Sequence, residues 1–216
     1  MAQRVGIIGV GLLGGALGQC LVKQGWEVFG HDPAAPVVNG LTMCGDATEL
    51  VGQCESVLLC LPTSDVVAGV IDALGQAVTD RHCFIDTTTG EPGEMEALGR
   101  RLAKQGAYYL EANVAGSSEL AKHGEATLFL GGDTETIEHH WELLEALAAK
   151  RFHVGPVGAA SRFKLVHNLI LGLNRAALGE GLAFAEALGF DAGEALALLK
   201  ETPAVSAAME AKGGKM

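Results

Sequence analysis

The sequence predicts an α/β fold, in which a doubly wound, mostly parallel Rossmann-type sheet is followed by a long interdomain helix and a partial all-α domain. Three observations support this prediction. Short apolar segments alternate with segments of helical spacing as far as Gly155, which is typical of a parallel α/β sheet. The apolar segments are nearly continuous, as expected for strands buried on both faces. Beyond Gly155 only helical patterning remains.

The alternation begins with a βαβ unit, predicted as a strand at residues 5–10, a helix at 12–23 and a strand at 27–31. Further strands are predicted at residues 41–44, 56–61, 82–86, 107–111, 126–131 and 151–154. Further helices are predicted at residues 63–75, 92–106 and 134–150. Antiparallel additions are allowed near the end of the sheet, because mixed sheets are common.

The domain boundary is predicted near Gly155, with a Rossmann-type domain at residues 1–157 and an incomplete helical domain at 158–216. A very long helix is expected first, and shorter helices at 191–200 and 204–212. Three such helices bury little core by themselves. We therefore expect the long apolar face to pack on the sheet domain, on a further segment or on a second copy, and homo-oligomerisation is the expected result.

Composition excludes several function classes. The chain has 15 Lys and Arg against 26 Asp and Glu, a formal charge of −11, which argues against nucleic acid as a partner. Five cysteines without a C-x-x-C pair are expected to be reduced and structural, in the cytoplasm. No signal-peptide pattern is present, charged and amide side chains interrupt the one candidate span, and no zinc constellation is expected.

The clearest motif is Gly9-Val10-Gly11-Leu12-Leu13-Gly14, which fits G-x-G-x-x-G between a predicted strand and helix. Such glycines let the backbone approach a pyrophosphate at the positive end of the helix. Asp32 closes the next strand, where a carboxylate accepts both ribose hydroxyls and repels a 2′-phosphate. The motif predicts binding of NAD rather than NADP. The alternative is a tight turn without a ligand.

A second set of polar residues, Lys164, His167 and Asn168, shares one face of the long helix. Lys164 is flanked by Phe163, Leu165 and Val166, so it is expected to be largely buried. Burial would lower its pKa and allow proton exchange near neutral pH. The alternatives are a solvated lysine, a packed core histidine and an asparagine that bonds a loop.

The segment Glu111-Ala112-Asn113-Val114-Ala115-Gly116-Ser117-Ser118 joins a predicted strand to a predicted helix. Its small residues leave backbone N–H groups open to an anion. An ordinary loop in which Ser117 or Ser118 caps the helix explains the pattern equally well.

Taken together, four motifs in order resemble those of the β-hydroxyacid dehydrogenase family, the group of 3-hydroxyisobutyrate dehydrogenase. They are the loop GVGLLGGALG, the segment Asp86-Thr87-Thr88-Thr89, the loop from Glu111 to Ser117, and the helix start from Gly155 to Asn168. The resemblance implies that Lys164 is the catalytic lysine and that Asn168 orients the substrate. It also implies cofactor contacts at Leu61, Pro62 and Thr89, and a substrate-carboxylate loop at Gly116, Ser117 and Ser118.

Three residues depart from the family pattern. Asn113 stands where the family has proline, Ala115 where it has a serine that bonds the substrate carboxylate, and His167 where it has the first of two asparagines. The family's helical domain also continues for many residues past the position of Met216, so the chain resembles a truncated member.

The resemblance implies an NAD-dependent oxidoreductase that interconverts a small 3-hydroxy acid and its semialdehyde or keto form, with Lys164 as general acid and base. The expected partner is a small carboxylate-bearing substrate, without nucleic acid or membrane. Two alternatives stay open. One is a related reductase acting on another carbonyl or an imine, and the other is a catalytically silent dinucleotide-binding module.

Overall fold

The structure is a computed structural model of the chain and describes residues 3–34 and 37–215. Within these residues eight strands form one sheet: β1 Arg4–Ile8, β2 Glu27–His31, β3 Thr42–Met43, β4 Ser56–Leu59, β5 Cys83–Asp86, β6 Tyr108–Ala115, β7 Thr127–Gly131 and β8 Lys150–Gly155. Their spatial order is β3-β2-β1-β4-β5-β6-β7-β8, and only β6 and β7 pair antiparallel. The predicted Rossmann-type, mostly parallel sheet is confirmed.

The helices in the same residues follow the predicted alternation. They are α1 Leu12–Lys23, α2 Ala47–Gln53, α3 Ser64–Leu74, α4 Pro92–Lys104, α5 Ser118–Lys122, α6 Thr134–His139, α7 Trp141–Leu147, α8 Ala159–Ala187, α9 Ala192–Lys200 and α10 Ala207–Lys212. Short 3₁₀ turns lie at Gly75–Ala77 and Gly213–Lys215.

Both faces of the sheet are covered. On β4, Leu58 packs into one apolar cluster, whereas Val57 and Leu59 pack into another. The first cluster includes side chains of α1 and α7, and the second includes side chains of α2, α3 and α4. Because successive side chains of a strand point to opposite faces, near-continuous apolar strands are what this arrangement requires.

The prediction of one helix over residues 134–150 is wrong. His140 has φ −99° and ψ 12°, which separates α6 from α7. The second helix then ends at Leu147, because Ala148 is extended (φ −160°, ψ 136°) and the chain enters β8 at Lys150.

Helix α2 was not predicted, although it has a local signal. The side chain of Asp46 accepts a hydrogen bond from the Glu49 backbone N–H at 2.7 Å, and the side chain of Glu49 accepts from the Gly45 N–H at 2.6 Å. This is close to a reciprocal capping box. The D-x-x-E spacing in the sequence marks the start of the helix.

Strand β6 is longer than its prediction at residues 107–111. It continues to Ala115 because it pairs with β7, with Glu111 opposite Gly131 and Ala115 opposite Thr127. Five of the eight residues from Glu111 to Ser118 are therefore strand, and only Gly116 and Ser117 separate β6 from α5.

The chain forms two compact units, which divide between Lys164 and Leu165. The sheet belongs to the first unit, and the boundary predicted at residues 157 and 158 stays a prediction. In the second unit a small apolar cluster is formed by Leu178, Leu182, Leu196 and Met209. Among residues 3–34 and 37–215, no helix has both the length and the apolar character of a membrane span.

Candidate active site

Two glycines allow β1, its turn and α1 to approach closely. Gly9 has φ 93°, and a Cβ there would lie 2.4 Å from the carbonyl oxygen of Cys60. A Cβ at Gly14 would lie 1.9 Å from the carbonyl oxygen of Gly9. Gly11 differs, because its Cβ position is open and it precedes α1 without a side-chain cap. The amino end of α1 therefore presents bare backbone, which suits a phosphate group.

A cavity of about 900 Å³ lies at this turn, a size typical of cofactor sites. Seven of the nine residues predicted to bind the cofactor line it: Gly9, Gly11, Leu13, Asp32, Leu61, Pro62 and Thr89. Leu12 does not line the cavity and is 88% exposed, and Gly14 is buried where the turn meets the helix. The bare helix end and the Asp32 carboxyl in one cavity fit a dinucleotide with a free ribose.

The part of the cavity lining that comes from two helices was not predicted. It comes from α2 and α3, through residues that include Ala47, Thr48, Val66 and Val70. Val67, Ile71 and Leu74 of α3 are buried in the core, so Val66 and Val70 form a second apolar stripe at i and i+4. The sequence signal for this part of the lining was that α3 has apolar residues outside its core-facing stripe.

A buried acid, Asp86, lies beside the cavity. It is 1% exposed, and its carboxyl accepts hydrogen bonds from the Thr88 N–H and the Tyr109 hydroxyl, each at 2.8 Å. Burial raises the pKa of Asp86 to about 6, and Glu111, its neighbour across β5 and β6, adds to the rise. Thr87, Thr88 and Thr89 continue from Asp86 into the cavity wall.

Asp86 is expected to make stability depend on pH. Its folded-state pKa of about 6 exceeds the unfolded value of about 3.9, so its stabilising contribution is complete below about pH 4 and is lost as the pH rises through about 6. Asparagine cannot ionise. As the pH rises from 4 to 7, the free energy of unfolding of the Asp86→Asn variant should therefore increase by about 2–3 kcal/mol relative to that of the wild type. Urea unfolding at a series of pH values measures this, and parallel pH curves for the two proteins would contradict it.

Lys164 is 8% exposed, as the sequence predicted. Its Nζ donates a hydrogen bond to the Val114 carbonyl oxygen of β6 at 2.5 Å. Burial lowers the pKa of Lys164, which increases the fraction of neutral amine near physiological pH. The lysine therefore has the environment of a proton-transfer group.

Asn113 connects β6, the strand that Lys164 contacts, to the cavity. Its Nδ2 donates to the Thr88 carbonyl oxygen at 2.6 Å, and Thr88 lines the cavity. Within the described residues its Oδ1 has no hydrogen-bond partner. Val114, which accepts from Lys164, is the next residue along β6. Strand β6 thus brings the lysine and the cavity wall into one region.

Glu111, on the same strand, accepts four hydrogen bonds from the start of α8. The donors are the N–H groups of Gly158 (2.6 Å), Ala160 (3.3 Å) and Ser161 (3.2 Å), and the Ser161 hydroxyl. No role was predicted for Glu111, because these contacts join positions about fifty residues apart and no local pattern indicates them.

The predicted carboxylate-binding residues lie where β6 meets α5. Ser117 is the N-cap of α5, and its Oγ accepts from the Leu120 N–H at 3.2 Å. The interpretation of this serine as a helix cap is therefore confirmed. Gly116 and Ser117 are exposed and Ser118 is partly so, and none of the three lines the cavity. Their role in binding a carboxylate stays a prediction.

Asn168 lies in the second unit, one turn after Lys164 on α8, and is exposed. The Nδ1 of His167 lies 3.2 Å from the Asn168 Oδ1. The substrate-orienting role of Asn168 stays a prediction. All five cysteines are free thiols. In the described part of the chain, no group of three His, Cys, Asp or Glu side chains could hold a metal ion.

Comparison with known proteins identifies the family. Residues 4–155 match the NAD-binding domain of 6-phosphogluconate dehydrogenase, and residues 158–216 match the NAD-binding domain of NADP-dependent 3-hydroxyisobutyrate dehydrogenase. L-threonate dehydrogenase of Cupriavidus necator is 31% identical over 200 residues, which cover 88% of this chain and 67% of that protein. The chain belongs to the β-hydroxyacid dehydrogenase family. This β-hydroxyacid dehydrogenase carries an NAD-binding domain.

Solved structures agree with this assignment. A 3-hydroxyisobutyrate dehydrogenase from Mycobacterium tuberculosis, solved with L-serine, is 25% identical with a TM-score of 0.86, and the match covers 98% of this chain and 74% of that one. An imine reductase from Streptomyces aurantiacus has a TM-score of 0.84 at 21% identity, covering 92% of this chain and 72% of that one. The second match shows the fold alone.

Proposed function

We propose that this dehydrogenase interconverts a small 3-hydroxy acid and its semialdehyde or keto form, with NAD as hydride carrier and Lys164 as the general acid and base. The observation that carries the proposal is the buried Lys164 amine, whose pKa is lowered by burial. The amine bonds to Val114, and the preceding residue, Asn113, bonds to Thr88 in the cavity wall. A fully solvated lysine would be protonated near pH 7 and would be a poor base.

NAD, when bound, supplies the acceptor for the hydride of the substrate carbon, and the reduced form supplies the donor. In oxidation the neutral Nζ of Lys164 takes the hydroxyl proton while the carbon–oxygen double bond forms. In reduction the protonated Nζ returns that proton to the carbonyl oxygen. The Val114 carbonyl, 2.5 Å from Nζ, holds the amine in place and leaves its other positions for the substrate.

The remaining assignments concern substrate orientation. The backbone N–H groups of Gly116, Ser117 and Ser118 hold the substrate carboxylate, and Asn168, one turn after Lys164, holds the reacting oxygen. The hydroxyl of Ser117 already caps α5, so its backbone and not its side chain is assigned to the carboxylate. Ala115 supplies no hydroxyl, whereas a serine at this position would donate one hydrogen bond to the substrate carboxylate. This favours a substrate that needs one hydrogen-bond donor fewer.

We assign NAD rather than NADP because Asp32 lies in the cavity lining. A carboxyl at the end of β2 accepts hydrogen bonds from ribose hydroxyls, whereas a 2′-phosphate would bring like charges together. Free thiols at all five cysteines suit a reducing compartment, and cytoplasmic location is part of the proposal.

A substrate panel tests the reaction. We expect hydride transfer, followed by the absorbance of the reduced nicotinamide, with small 3-hydroxy acids and their semialdehydes, and a kcat/KM for NADH at least about tenfold above that for NADPH. Activity only on carbonyl or imine substrates without a carboxylate would contradict the hydroxy-acid assignment. NAD binding without any turnover would instead indicate a catalytically silent module.

Self-association through the helical region is also proposed. Large apolar side chains on α8, among them Leu169, Ile170 and Leu173, are more than half exposed, and contiguous apolar surface of this kind marks interaction sites. Light scattering after gel filtration measures the mass, and a monomer at micromolar concentration would contradict this part of the proposal.

A further inference from the structure

The start of α8 lacks a capping side chain in its own segment. Gly158 directly precedes the helix at Ala159 and has no side chain, so the first N–H groups need acceptors from elsewhere. The Glu111 carboxylate of β6 provides them, through the N–H groups of Gly158, Ala160 and Ser161 and the Ser161 hydroxyl. A negative group at a helix amino end also interacts favourably with the helix dipole.

Strand β6 contacts α8 at a second point. The Lys164 Nζ donates to the Val114 carbonyl at 2.5 Å, three residues along β6 from Glu111. The same two elements are therefore joined once at the beginning of the helix and once at the lysine, one turn later. Together the two contacts fix both the axial position and the rotation of this part of α8 against the strand.

Gly131 of β7 makes room for the first contact. It is paired with Glu111, and a Cβ at Gly131 would lie 2.3 Å from the Glu111 Oε2 and 3.1 Å from the Ala160 nitrogen. The Glu111 carboxylate is 1% exposed, and no ion pair is formed with it within the described residues. Its acceptors are therefore committed to α8, and water does not compete for them.

We infer that Glu111 is a positioning residue, which sets the rotation of the first turns of α8, up to Lys164, and so places the Lys164 amine on the Val114 carbonyl. The inference rests on the proposed role of Lys164. Glu111 does not touch the substrate in this assignment and acts through Lys164 alone. Loss of the carboxylate releases the start of α8, and the lysine amine then samples positions away from β6.

The test compares Glu111→Gln with wild type in the full chain. Glutamine keeps the size but replaces one acceptor oxygen with an NH₂ donor that faces the helix N–H groups. We expect amide hydrogen exchange of residues 158–164 to be at least about tenfold faster. We also expect acylation of the Lys164 amine by a small amine-reactive acid anhydride, which forms an amide at Nζ and releases the carboxylic acid, to be at least about fivefold faster because the amine is released. Mass spectrometry measures the acylated fraction.

Kinetics provide the readout that a merely structural role would not give. The kcat of Glu111→Gln should fall by about tenfold or more, because the proton-transfer group is displaced, while KM for NADH stays within about twofold. A parallel rise in KM for NADH would show general damage to the cofactor domain and would overturn the inference.

Two further variants complete the design. Ser161→Ala removes one of the four donors and keeps the carboxylate. It should therefore increase the rates of amide exchange and of Lys164 acylation by less than Glu111→Gln does. If Glu111→Gln does not fold, the result for Ser161→Ala decides. Asp133→Asn is the matched control, because Asp133 caps α6 through the Thr136 N–H and should leave residues 158–164 and Lys164 labelling unchanged.

The outcomes separate this inference from the proposed function. Exchange and labelling in Glu111→Gln equal to wild type would overturn the positioning role whatever the activity. Faster exchange and labelling in a protein that transfers no hydride would support the positioning role while the proposed reaction fails.

Discussion

Replacement of Lys164 by alanine is expected to reduce turnover by about a hundredfold or more, with NAD affinity close to that of wild type. The amine is buried and bonded to Val114, and it is outside the lining of the dinucleotide cavity. The variant therefore loses the proton acceptor without losing a cofactor contact. Steady-state kinetics with a responsive 3-hydroxy acid and an NAD titration measure the two quantities.

Two matched variants sharpen this result. Lys164→Arg keeps the positive charge but cannot lose its proton, since the pKa of arginine exceeds about 12, so it should be as inactive as alanine if proton transfer is the role. Lys104→Ala removes an exposed lysine from the last turn of α4 and should have no effect on turnover. Undiminished turnover in Lys164→Ala would rule out the assigned role.

The sign of the pH dependence follows from the same lysine. Oxidation needs the neutral amine, so its rate should rise with pH through the lowered pKa of Lys164. Reduction needs the protonated amine, so its rate should fall over the same range. If the rates of oxidation and reduction changed with pH in the same way, Lys164 would not be the group that exchanges the proton with the substrate.

The sequence predicted the parts of the site that rest on local signals. Gly9, Gly14 and Asp32 follow a strand–turn–helix–strand pattern of short range. The structure places Gly9 and Gly14 in contact at one turn, and Gly9 and Asp32 in the lining of one cavity. The burial of Lys164 was also predicted, but for another reason than the structure gives. Its neighbours Phe163 and Leu165 are 44% and 53% exposed, and the lysine is buried because it reaches the Val114 carbonyl.

The parts that could not be predicted depend on distant contacts. Nothing near Glu111 indicates that its carboxylate accepts from Gly158 and Ser161. Those donors follow β8, and they are brought to Glu111 by the pairing of β6 with β7 and of β7 with β8. The length of β6 has the same origin. The break at His140 is a backbone change within an otherwise helical pattern, which periodicity does not detect. The start of α2, in contrast, has a local signal in the D-x-x-E spacing at Asp46.

Replacement of Gly14 by alanine is expected to abolish dinucleotide binding and to destabilise the fold. The new Cβ would lie 1.9 Å from the carbonyl oxygen of Gly9 and 3.1 Å from the Cys60 Cβ. The closest atom is backbone, which cannot rotate away, so β1 and α1 must separate. We expect a loss of at least about 2 kcal/mol in the free energy of unfolding, the cost of overpacking a close contact, measured by urea denaturation.

Two other glycines separate packing from binding. Gly11 precedes α1 with φ −65° and nothing within 4 Å of its Cβ position, so Gly11→Ala should keep wild-type stability but weaken NAD binding, because the methyl group lies where the phosphate approaches. Gly69, in the interior of α3, also has an open Cβ position and does not line the cavity. Gly69→Ala should therefore bind NAD normally, and its free energy of unfolding should increase by about 0.5–1 kcal/mol.

If Gly14→Ala instead retained both stability and binding, the close approach of β1 and α1 would not be what forms the dinucleotide site. Loss of binding in Gly11→Ala at unchanged stability would show that bare backbone at the helix end is a requirement of the ligand, whereas the glycine at position 14 is a requirement of the fold that presents it.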